Sequence, residues 1–360
     1  MADRDPPSSS TRPSPSDGFD DSGHLQPGVR LAFLDAVRAF AVLMITLSSF
    51  RGSAGIGQFQ RTYISLWTAG VLALFLCTGF ITPHLIEGAR SLPAFWANRF
   101  ARIWPMYLVT VAAVLVVTDV AGSAFPSASD LTPIGLAANL ALVASLSGQP
   151  LIVDQSWTIS DGLVFYVSLT ALSGLGLLKR SIVWATLALG STLLTAVLPG
   201  LRDHHYLWRA GFWAGTLFVG VVVQDAVRGR LPRWAAWVAL LAGGLTGEAS
   251  LFLGGHVEAF DPSLRGTIIA GYAVFAVGLA LADHRFPRPL LRIGVVSYSL
   301  FLTHKLVIHF VPDTGIGVVS ALMWVAVSIG VAEAGFRLVE RPAMFFGRRF
   351  TTRRPPPLPT

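Results

Sequence analysis

Residues 63–83 read YISLWTAGVLALFLCTGFITP, a stretch of the sequence without a single charged side chain. A helix that crosses a hydrocarbon core of ~30 Å needs about 20 apolar residues, so this stretch is long enough to cross a membrane. Similar apolar runs recur along the chain, at 31–50, 104–122, 157–178, 181–199, 206–224, 234–253, 266–282, 293–312 and 315–338. The pattern predicts an all-α polytopic transmembrane bundle.

The composition supports this fold class. Of the 360 residues, 53% are hydrophobic and only 13% are charged, whereas a soluble domain has roughly 25% charged residues. So few charges argue against a soluble enzyme, a disordered protein or a nucleic-acid-binding domain. The formal net charge of +7 indicates basic loops at the inner membrane surface, because the Lys and Arg residues lie between the apolar runs. The expected partner is therefore a lipid bilayer and not a nucleic acid.

The distribution of basic residues predicts the topology. Clusters of Arg and Lys follow the runs 63–83, 157–178, 206–224, 266–282 and 315–338. All of them are cytoplasmic only if the weaker run at 131–147 does not cross the membrane, so that segment is expected to be re-entrant or peripheral. The prediction is then ten crossings, give or take one, in the cell membrane, with both termini cytoplasmic.

The two ends of the chain differ from the middle. Residues 1–29 are rich in Pro, Ser and Asp and have too little apolar surface to offset the entropy of ordering them. Residues 343–360 are basic and then proline-rich. We expect both to be cytoplasmic tails, the first disordered, on either side of one membrane domain at 30–342. The single cysteine, Cys77, lies inside an apolar run and is expected to be a packing residue.

Ionisable residues inside membrane runs are costly and therefore mark functional candidates. Asp35 and Arg38 are spaced i, i+3 at the start of the first run, so they can pair on one helical face. Anchoring of the helix at the interface is an alternative role for this pair. Arg99 and Arg102 have the same spacing, and arginine suits bidentate phosphate recognition. Ordinary positive-inside topology would also explain these two arginines.

Two further polar segments are candidates. His304 lies in the middle of the run 293–312, where an imidazole needs polar partners. Together with Lys305, Ser297 and Tyr298 it predicts a polar cavity, with Glu333 as a possible partner. In the segment that begins at Trp157, Ser160 could cap the helix and Asp161 would suit its dipole, so a purely structural role is also open there.

Five segments in order resemble the motifs of the membrane-bound acyltransferase-3 family, which O-acylates sugars and glycosylated metabolites. Each motif is weak alone, but the five in sequence are specific and span 31–342. They are LDAVRA at 34–39 (family L-D-G-L-R-G), LFLCTGFI at 74–81 (F-F-x-x-S-G-F-L-I), RFARIWPMY at 99–107 (R-x-x-R-I-x-P-x-Y), WTIS at 157–160 followed by Phe165 and Tyr166 (W-S-L-S-x-E-x-x-F-Y), and GVVSYSLFLTH at 294–304 (G-x-x-S-Y-x-x-Y-L-x-H).

The resemblance implies transfer of an acyl group from acyl-CoA to a hydroxyl of a glycan or glycosylated metabolite. No bound cofactor or metal is expected, since acyl-CoA would be a substrate. The implied roles are catalysis, contact with the acyl-CoA phosphates, and contact with the substrate. The catalytic role falls to His304, Asp35 and Arg38, and contact with the acyl-CoA phosphates falls to Arg99 and Arg102. Contact with the substrate falls to Trp157, Ser160, Asp161, Ser297 and Tyr298.

The chain departs from the family pattern at two positions. The family's histidine, about fourteen residues after the first aspartate, is Ser49 here, and the glutamate that follows W-S-L-S is Gly162, beside Asp161. A serine alone is no base near pH 7. Either His304 takes the proton, or the chemistry differs, or the chain is inactive. Two alternative functions therefore stay open: an altered family member that binds or translocates a substrate, and an unrelated transporter.

The predicted topology gives a labelling experiment. With both termini inside, position 154 lies outside and position 179 inside, so a cysteine placed at 154 should react with an impermeant reagent added from outside, and one at 179 should not. The reverse pattern would contradict the ten-crossing topology.

Overall fold

The computed structural model describes residues 31–50, 63–121, 131–198, 205–254, 266–308, 310–311 and 316–351, and within these ranges every regular element is helical. The predicted N-terminal tail at 1–29 lies outside the described residues. The helices are α1 (Ala32–Ser48), α2 (Leu66–Glu87), α3 (Leu92–Ala121), α4 (Pro133–Leu140), α5 (Trp157–Gly174), α6 (Ser181–Val197), α7 (His205–Val227), α8 (Arg233–Gly254), α9 (Thr267–Ala280), α10 (Arg288–Val295), α11 (Ser297–Val307), α12 (Gly317–Gly335) and α13 (Arg341–Thr351).

Several of these helices are long and apolar enough to cross a membrane, so the protein is a helical membrane protein. Among the described residues five qualify on length and composition: Leu66–Glu87, Leu92–Val120, Leu207–Val227, Arg233–Leu253 and Gly317–Gly347. The pair α10 and α11 qualifies only if it is taken as one broken span, and α6 and α9 are shorter apolar helices. The remaining crossings of the ten stay a prediction.

The run 293–312 is not the single straight crossing that the sequence suggested. The chain bends by 77° between α10 and α11, at Val296. The short helix α10 carries Arg288 and Arg292, and Arg292 forms an exposed ion pair with Glu333. Such charges are stable in water and not in hydrocarbon. The bend thus separates the basic α10 from the buried part of α11, whose own charged residue, Lys305, lies near its far end and pairs with Asp154.

The segment 131–147 contains only the eight-residue helix α4, followed by turns. Eight helical residues extend for about 12 Å, too short to cross the ~30 Å core. Its last turn is fixed inside the bundle by Asn139, which is fully buried. The Asn139 side chain donates to the Gly135 and Pro150 carbonyls and accepts from the Ile152 N–H. The backbone carbonyl of Asn139 accepts from the Tyr107 hydroxyl of α3. Such an arrangement suits a re-entrant segment.

The C-terminal run continues beyond the end predicted from the sequence. Helix α12 passes through a π-helical segment, Phe336–Glu340, into α13. Helix α13 packs against α3, where a Cβ on Gly347 would lie 2.7 Å from the Ala101 Cβ. The boundary at 342/343 therefore falls within a packed helix and does not mark the start of a tail. Residues 352–360 lie outside the described residues.

Helix α2 occupies the centre of the bundle and packs against α1, α7 and α9. Its contact with α7 brings the two backbones together: a Cβ on Gly79 would collide with the Leu217 carbonyl oxygen, and one on Gly220 would lie 2.5 Å from the Leu76 carbonyl oxygen. Small residues allow this approach, which supports helix association in a membrane, where apolar side chains gain nothing over lipid.

The structure gathers several basic loops at one end of the bundle. Glu87, the last residue of α2, pairs with Arg228 and Arg230, which follow α7. The first residue of α6, Ser181, donates to Asp225 at 2.6 Å, so the Lys179–Arg180 loop lies at the same end. This is the arrangement that the positive-inside pattern requires.

The glycine contact predicts a mutational effect on stability. Replacing Gly79 with Ala should lower the free energy of unfolding by about 1–3 kcal/mol, because the new methyl group meets backbone that cannot rotate away. Gly190 in α6 is a matched control, since a Cβ there meets nothing within 4 Å; Gly190→Ala should leave stability unchanged or raise it by about 0.5–1 kcal/mol. Unfolding of the detergent-solubilised variants measures both effects, and equal stabilities would contradict the tight contact.

Candidate functional site

A cavity of about 170 Å³ lies among α1, α2, α3, α5, α7 and α11. Helix α1 contributes Arg38, α3 contributes Arg99 and Arg102, and α11 contributes Ser297 and Tyr298. The other walls are largely apolar residues of α2 and α5. Thus all five segments singled out in the sequence meet at one place, although they are far apart in the chain. The 74–81 segment on α2 contributes Leu74, Phe75, Thr78 and Ile81, and α5 contributes Thr158, Ile159, Gly162 and Tyr166.

Three guanidinium groups give the cavity a positive charge. No carboxylate is among the residues that line it in the described part of the chain. The Arg99 guanidinium lies over the rings of Phe95 and Tyr166, 5.8 and 6.0 Å from their centroids. Its Nε is buried and has no hydrogen-bond partner among the described residues. A cationic donor held in a polar cavity is suited to an anionic ligand.

A buried glutamate behind the cavity compensates one of these charges. Glu340, at the end of the π-helical segment, is 0% exposed. Its Oε2 accepts a hydrogen bond of 2.8 Å from Ser299 Oγ, and its Oε1 lies 3.3 Å from Arg102 Nη1, an ion pair without hydrogen-bond geometry. π-Helical insertions often mark functional segments. The sequence analysis missed Glu340 because it lies two residues past the predicted end of the last apolar run.

The predicted pair Asp35 and Arg38 forms, but loosely. Arg38 Nη1 lies 4.0 Å from Asp35 Oδ1. This distance is too long for a hydrogen bond, so the two side chains attract each other through their charges alone. The backbone of Asp35 contacts α10, where a Cβ on Gly294 would collide with the Asp35 carbonyl oxygen. The glycine that opens the fifth motif therefore allows α10 to pack on α1 beside the cavity.

Ser297 and Tyr298 form the first turn of α11, immediately after the bend. Both line the cavity. The Tyr298 hydroxyl donates to the Ile103 carbonyl at 2.7 Å, so this residue presents its ring to the cavity while its hydroxyl fastens α11 to α3.

The three candidates on α5 have different partners. Ser160 does not cap the helix, which begins at Trp157; its hydroxyl is buried and donates to the Leu142 carbonyl at 2.6 Å, which holds the segment 131–147 against α5. Asp161 lies beside the cavity-lining Gly162 and interacts electrostatically with Arg209 of α7.

Trp157 belongs to an aromatic cluster next to the cavity. Its ring centroid lies 5.5 Å from that of Trp67 and 5.4 Å from that of Trp213, and the Arg209 guanidinium lies 4.2 Å above it. Phe75 contacts both Trp157 and Trp213 and also lines the cavity. The cluster is therefore continuous with the cavity wall.

His304 does not line the cavity with Ser297 and Tyr298, in contrast to the prediction. It is 0% exposed and lies one helical turn beyond Phe301, which does line the cavity. Its Nδ1 lies 2.8 Å from the Phe301 carbonyl oxygen, and its Nε2 lies 3.3 Å from Ser49 Oγ. Glu333, the suggested partner, pairs with Arg292 and Arg337 instead.

Gln155 is a second residue that the sequence analysis missed. It is 2% exposed and donates through Nε2 to the carbonyls of Phe301 and Leu302, at 3.0 and 2.9 Å. The turn before α5 is thereby tied to the segment of α11 that carries His304. Within the described residues, no group of three His, Cys, Asp or Glu is placed to hold a metal ion.

Comparison with known proteins gives the family that the five sequence motifs resemble. The family described as an acyltransferase domain, acyltransferase family 3, matches residues 31–332. Acyltransferase MdmB from Streptomyces mycarofaciens is 25% identical over 315 residues, which cover 78% of this chain and 80% of the relative. Nodulation protein 10 from Rhizobium leguminosarum bv. viciae is 27% identical over 360 residues, covering 89% and 95% of the two chains. No solved structure matches the chain.

Glu340 is buried and Glu333 is more exposed, so the same substitution at both positions compares the stabilities that a buried and an exposed ion pair provide. Glu340→Gln should lower the free energy of unfolding by about 1–3 kcal/mol, less than for a fully buried pair because Arg102 is partly exposed. Glu333→Gln changes the same side chain in an exposed pair and should cost about 0–1 kcal/mol. Thermal unfolding in one detergent compares the two; a larger effect at Glu333 would contradict the role assigned to Glu340.

Proposed function

Because this chain belongs to the acyltransferase-3 family and is an enzyme that transfers acyl groups, we propose that it moves an acyl group from acyl-CoA to a hydroxyl of a glycan or glycosylated small molecule. The observation that carries the proposal is the convergence of three arginines in a cavity whose described lining contains no carboxylate. Membership of the family also sets aside the alternative of an unrelated transporter.

The donor half of the proposal rests on Arg99 and Arg102. Acyl-CoA carries phosphates, and an arginine fork binds phosphate oxygens in pairs. Arg99 offers a buried Nε without a partner among the described residues, and Arg102 is held from behind by Glu340. Both belong to the end of α3 nearest the basic loops, so acyl-CoA would enter from the cytoplasm. Acyl-CoA is a substrate in this scheme and not a resident cofactor.

The acceptor half rests on the aromatic cluster next to the cavity. The cluster of Trp67, Trp157 and Trp213 provides flat apolar surfaces next to the cavity, and Asp161 and Ser297 provide polar groups near it. Ligand sites commonly combine aromatic walls with a few oriented polar groups. A sugar ring, with apolar faces and hydroxyl edges, suits such a surface.

For proton transfer we propose His304, assisted near the cavity by Arg38 with Asp35 as its partner. Carbonyl oxygens only accept hydrogen bonds, so His304 carries its proton on Nδ1, toward Phe301, and has a basic lone pair on Nε2. We place the enzyme in the cell membrane as a multi-pass protein with both termini cytoplasmic, in line with the common end of its basic loops.

Substitution of the arginines tests the donor site. Arg99→Ala and Arg102→Ala should each weaken acyl-CoA binding about 10- to 100-fold, since a charge-assisted hydrogen bond contributes about 1.5–3 kcal/mol. Arg99→Lys should not restore full affinity, because an ammonium group cannot form the paired contacts. Arg180→Ala is the control: it removes a basic residue at the same end, outside the cavity. Acyl-CoA titration in detergent measures the affinities, and wild-type values for both alanine variants would refute the site.

A further inference from the structure

We propose that Ser49 and His304 form a nucleophile–base pair and that Ser49 carries the acyl group as an ester between donor and acceptor. This inference rests on the proposed acyl-CoA function and adds a covalent step to it. Position 49 is where the family pattern has a histidine; here the structure brings an imidazole to the Ser49 hydroxyl from another helix, 255 residues away in sequence.

The hydrogen bonds define the direction of proton transfer. His304 Nδ1–H donates to the Phe301 carbonyl at 2.8 Å, so Nε2 is the acceptor that faces Ser49 Oγ at 3.3 Å. A serine, a basic ring nitrogen and a third group that orients the ring constitute the arrangement that activates a hydroxyl nucleophile. The O–N distance is slightly long, as is common where no substrate is bound. The Ile45 carbonyl lies at a similar distance from Ser49 Oγ, 3.4 Å, so the hydroxyl has both an acceptor within α1 and the imidazole within reach.

The surroundings hold this pair rigidly. Gln155 donates to the same Phe301 carbonyl that orients the imidazole. Trp324 of α12 donates its ring N–H to the His304 carbonyl at 3.3 Å and stacks on Phe50, the residue after Ser49. The end of α1 and the middle of α11 are therefore fixed on the same tryptophan, which sets the position of one reacting group against the other.

Access favours a nucleophilic serine over direct action of the histidine. His304 is 0% exposed, whereas Ser49 is partly exposed. In the free protein the group on Nε2 is the Ser49 hydroxyl, so the first hydroxyl that His304 can activate is that of Ser49. Arg38 and Ser49 both lie on α1, eleven residues or about 16 Å apart along the helix axis. The phosphates of acyl-CoA would thus stay at the arginines while the flexible pantetheine arm carries the thioester toward Ser49.

The two steps balance as follows. Ser49 Oγ attacks the thioester carbonyl carbon while His304 Nε2 takes the hydroxyl proton; the C–S bond breaks, the thiolate receives that proton, and CoA leaves as a free thiol. The acceptor oxygen then attacks the carbonyl carbon of the Ser49 ester while its proton passes to His304 Nε2. The bond from the acyl carbon to Ser49 Oγ breaks, the proton returns from Nε2 to Oγ, and the acylated acceptor leaves. Donor and acceptor therefore need not occupy the site together.

The first step can be tested without knowing the acceptor. The full-length protein in detergent is incubated separately with acetyl-CoA, butyryl-CoA and octanoyl-CoA, then quenched in acid, and free CoA thiol and peptide masses are measured. We expect at least one donor to release about one equivalent of thiol in a burst and to add the matching acyl mass to the peptide at Ser49. Ser49→Ala should lose both signals. Ser48→Ala, a change of the neighbouring serine, should keep them.

The histidine is tested by the rate of the same step. His304→Gln should slow the formation of the ester about 10²- to 10⁴-fold, the usual contribution of a general base, without weakening acyl-CoA binding. Retained acyl-CoA affinity shows that the Ser49 and His304 variants are folded.

The outcomes separate this inference from the proposed function. Consumption of acyl-CoA without an ester at Ser49, or an ester on another residue, would overturn the pair and leave acyl-CoA as the donor. Transfer that depends on Ser49 while no ester forms would make Ser49 a proton relay and would also overturn the covalent step. Absence of both thiol release and acyl-CoA binding in the unmutated protein would refute the donor itself, and the pair with it.

Discussion

Hydrocarbon offers no hydrogen-bond partner, so every polar group that this chain places inside the bundle needs a partner supplied by the protein. Threonine hydroxyls such as those of Thr82, Thr110 and Thr216 find their partner within their own helix, whereas several larger polar side chains find one on another helix. Asn139 joins α4 to the loop before α5 and, through Tyr107, to α3. Glu340 joins the last helix to Ser299 and Arg102. These polar contacts, together with the close packing at Gly79 and Gly220, therefore help to set how the helices are arranged.

The need to give polar groups partners inside the bundle also accounts for the shape of the cavity. The bend at Val296 separates the basic α10 from α11, and the first residues of α11, Ser297 and Tyr298, line the same cavity as the arginines. Gly294 lets α10 pack directly on the backbone of α1. Helix α1 then connects two regions of different chemistry: Arg38 lines the cationic cavity, and Ser49, at the other end of the helix, meets His304. A donor with distant phosphate and thioester groups fits such a division.

Local patterns in the sequence were sufficient to predict which side chains lie together in part of the candidate site. The i, i+3 spacing of Arg99 and Arg102 predicts two guanidinium groups on one helical face, and both line the cavity. The i, i+3 spacing of Asp35 and Arg38 predicts their pairing, which the structure contains at 4.0 Å. These relations depend on helical geometry alone and hold wherever the helix lies. Assignments of function to these residues remain predictions.

Other parts of the site depend on where the helices meet. His304 was expected to share a cavity with Ser297 and Tyr298, but it lies about two helical turns beyond them and faces Ser49. Glu333 was its expected partner, yet Glu333 pairs with Arg292 at the exposed end of α12. Gln155 and Glu340 have no distinctive local pattern, and their importance follows only from the helices that they connect.

The sequence by itself determined the helical membrane architecture, the positions of most helices and the family. These properties follow from composition, from runs of apolar residues and from motifs, all of which are local in the chain. Only the tertiary structure decided the bend at Val296, the cavity among six helices, the burial of Glu340 and the contact between Ser49 and His304. Each of these depends on distances between residues far apart in sequence, and such distances are set by the packing of whole helices, not by the residues of any one of them.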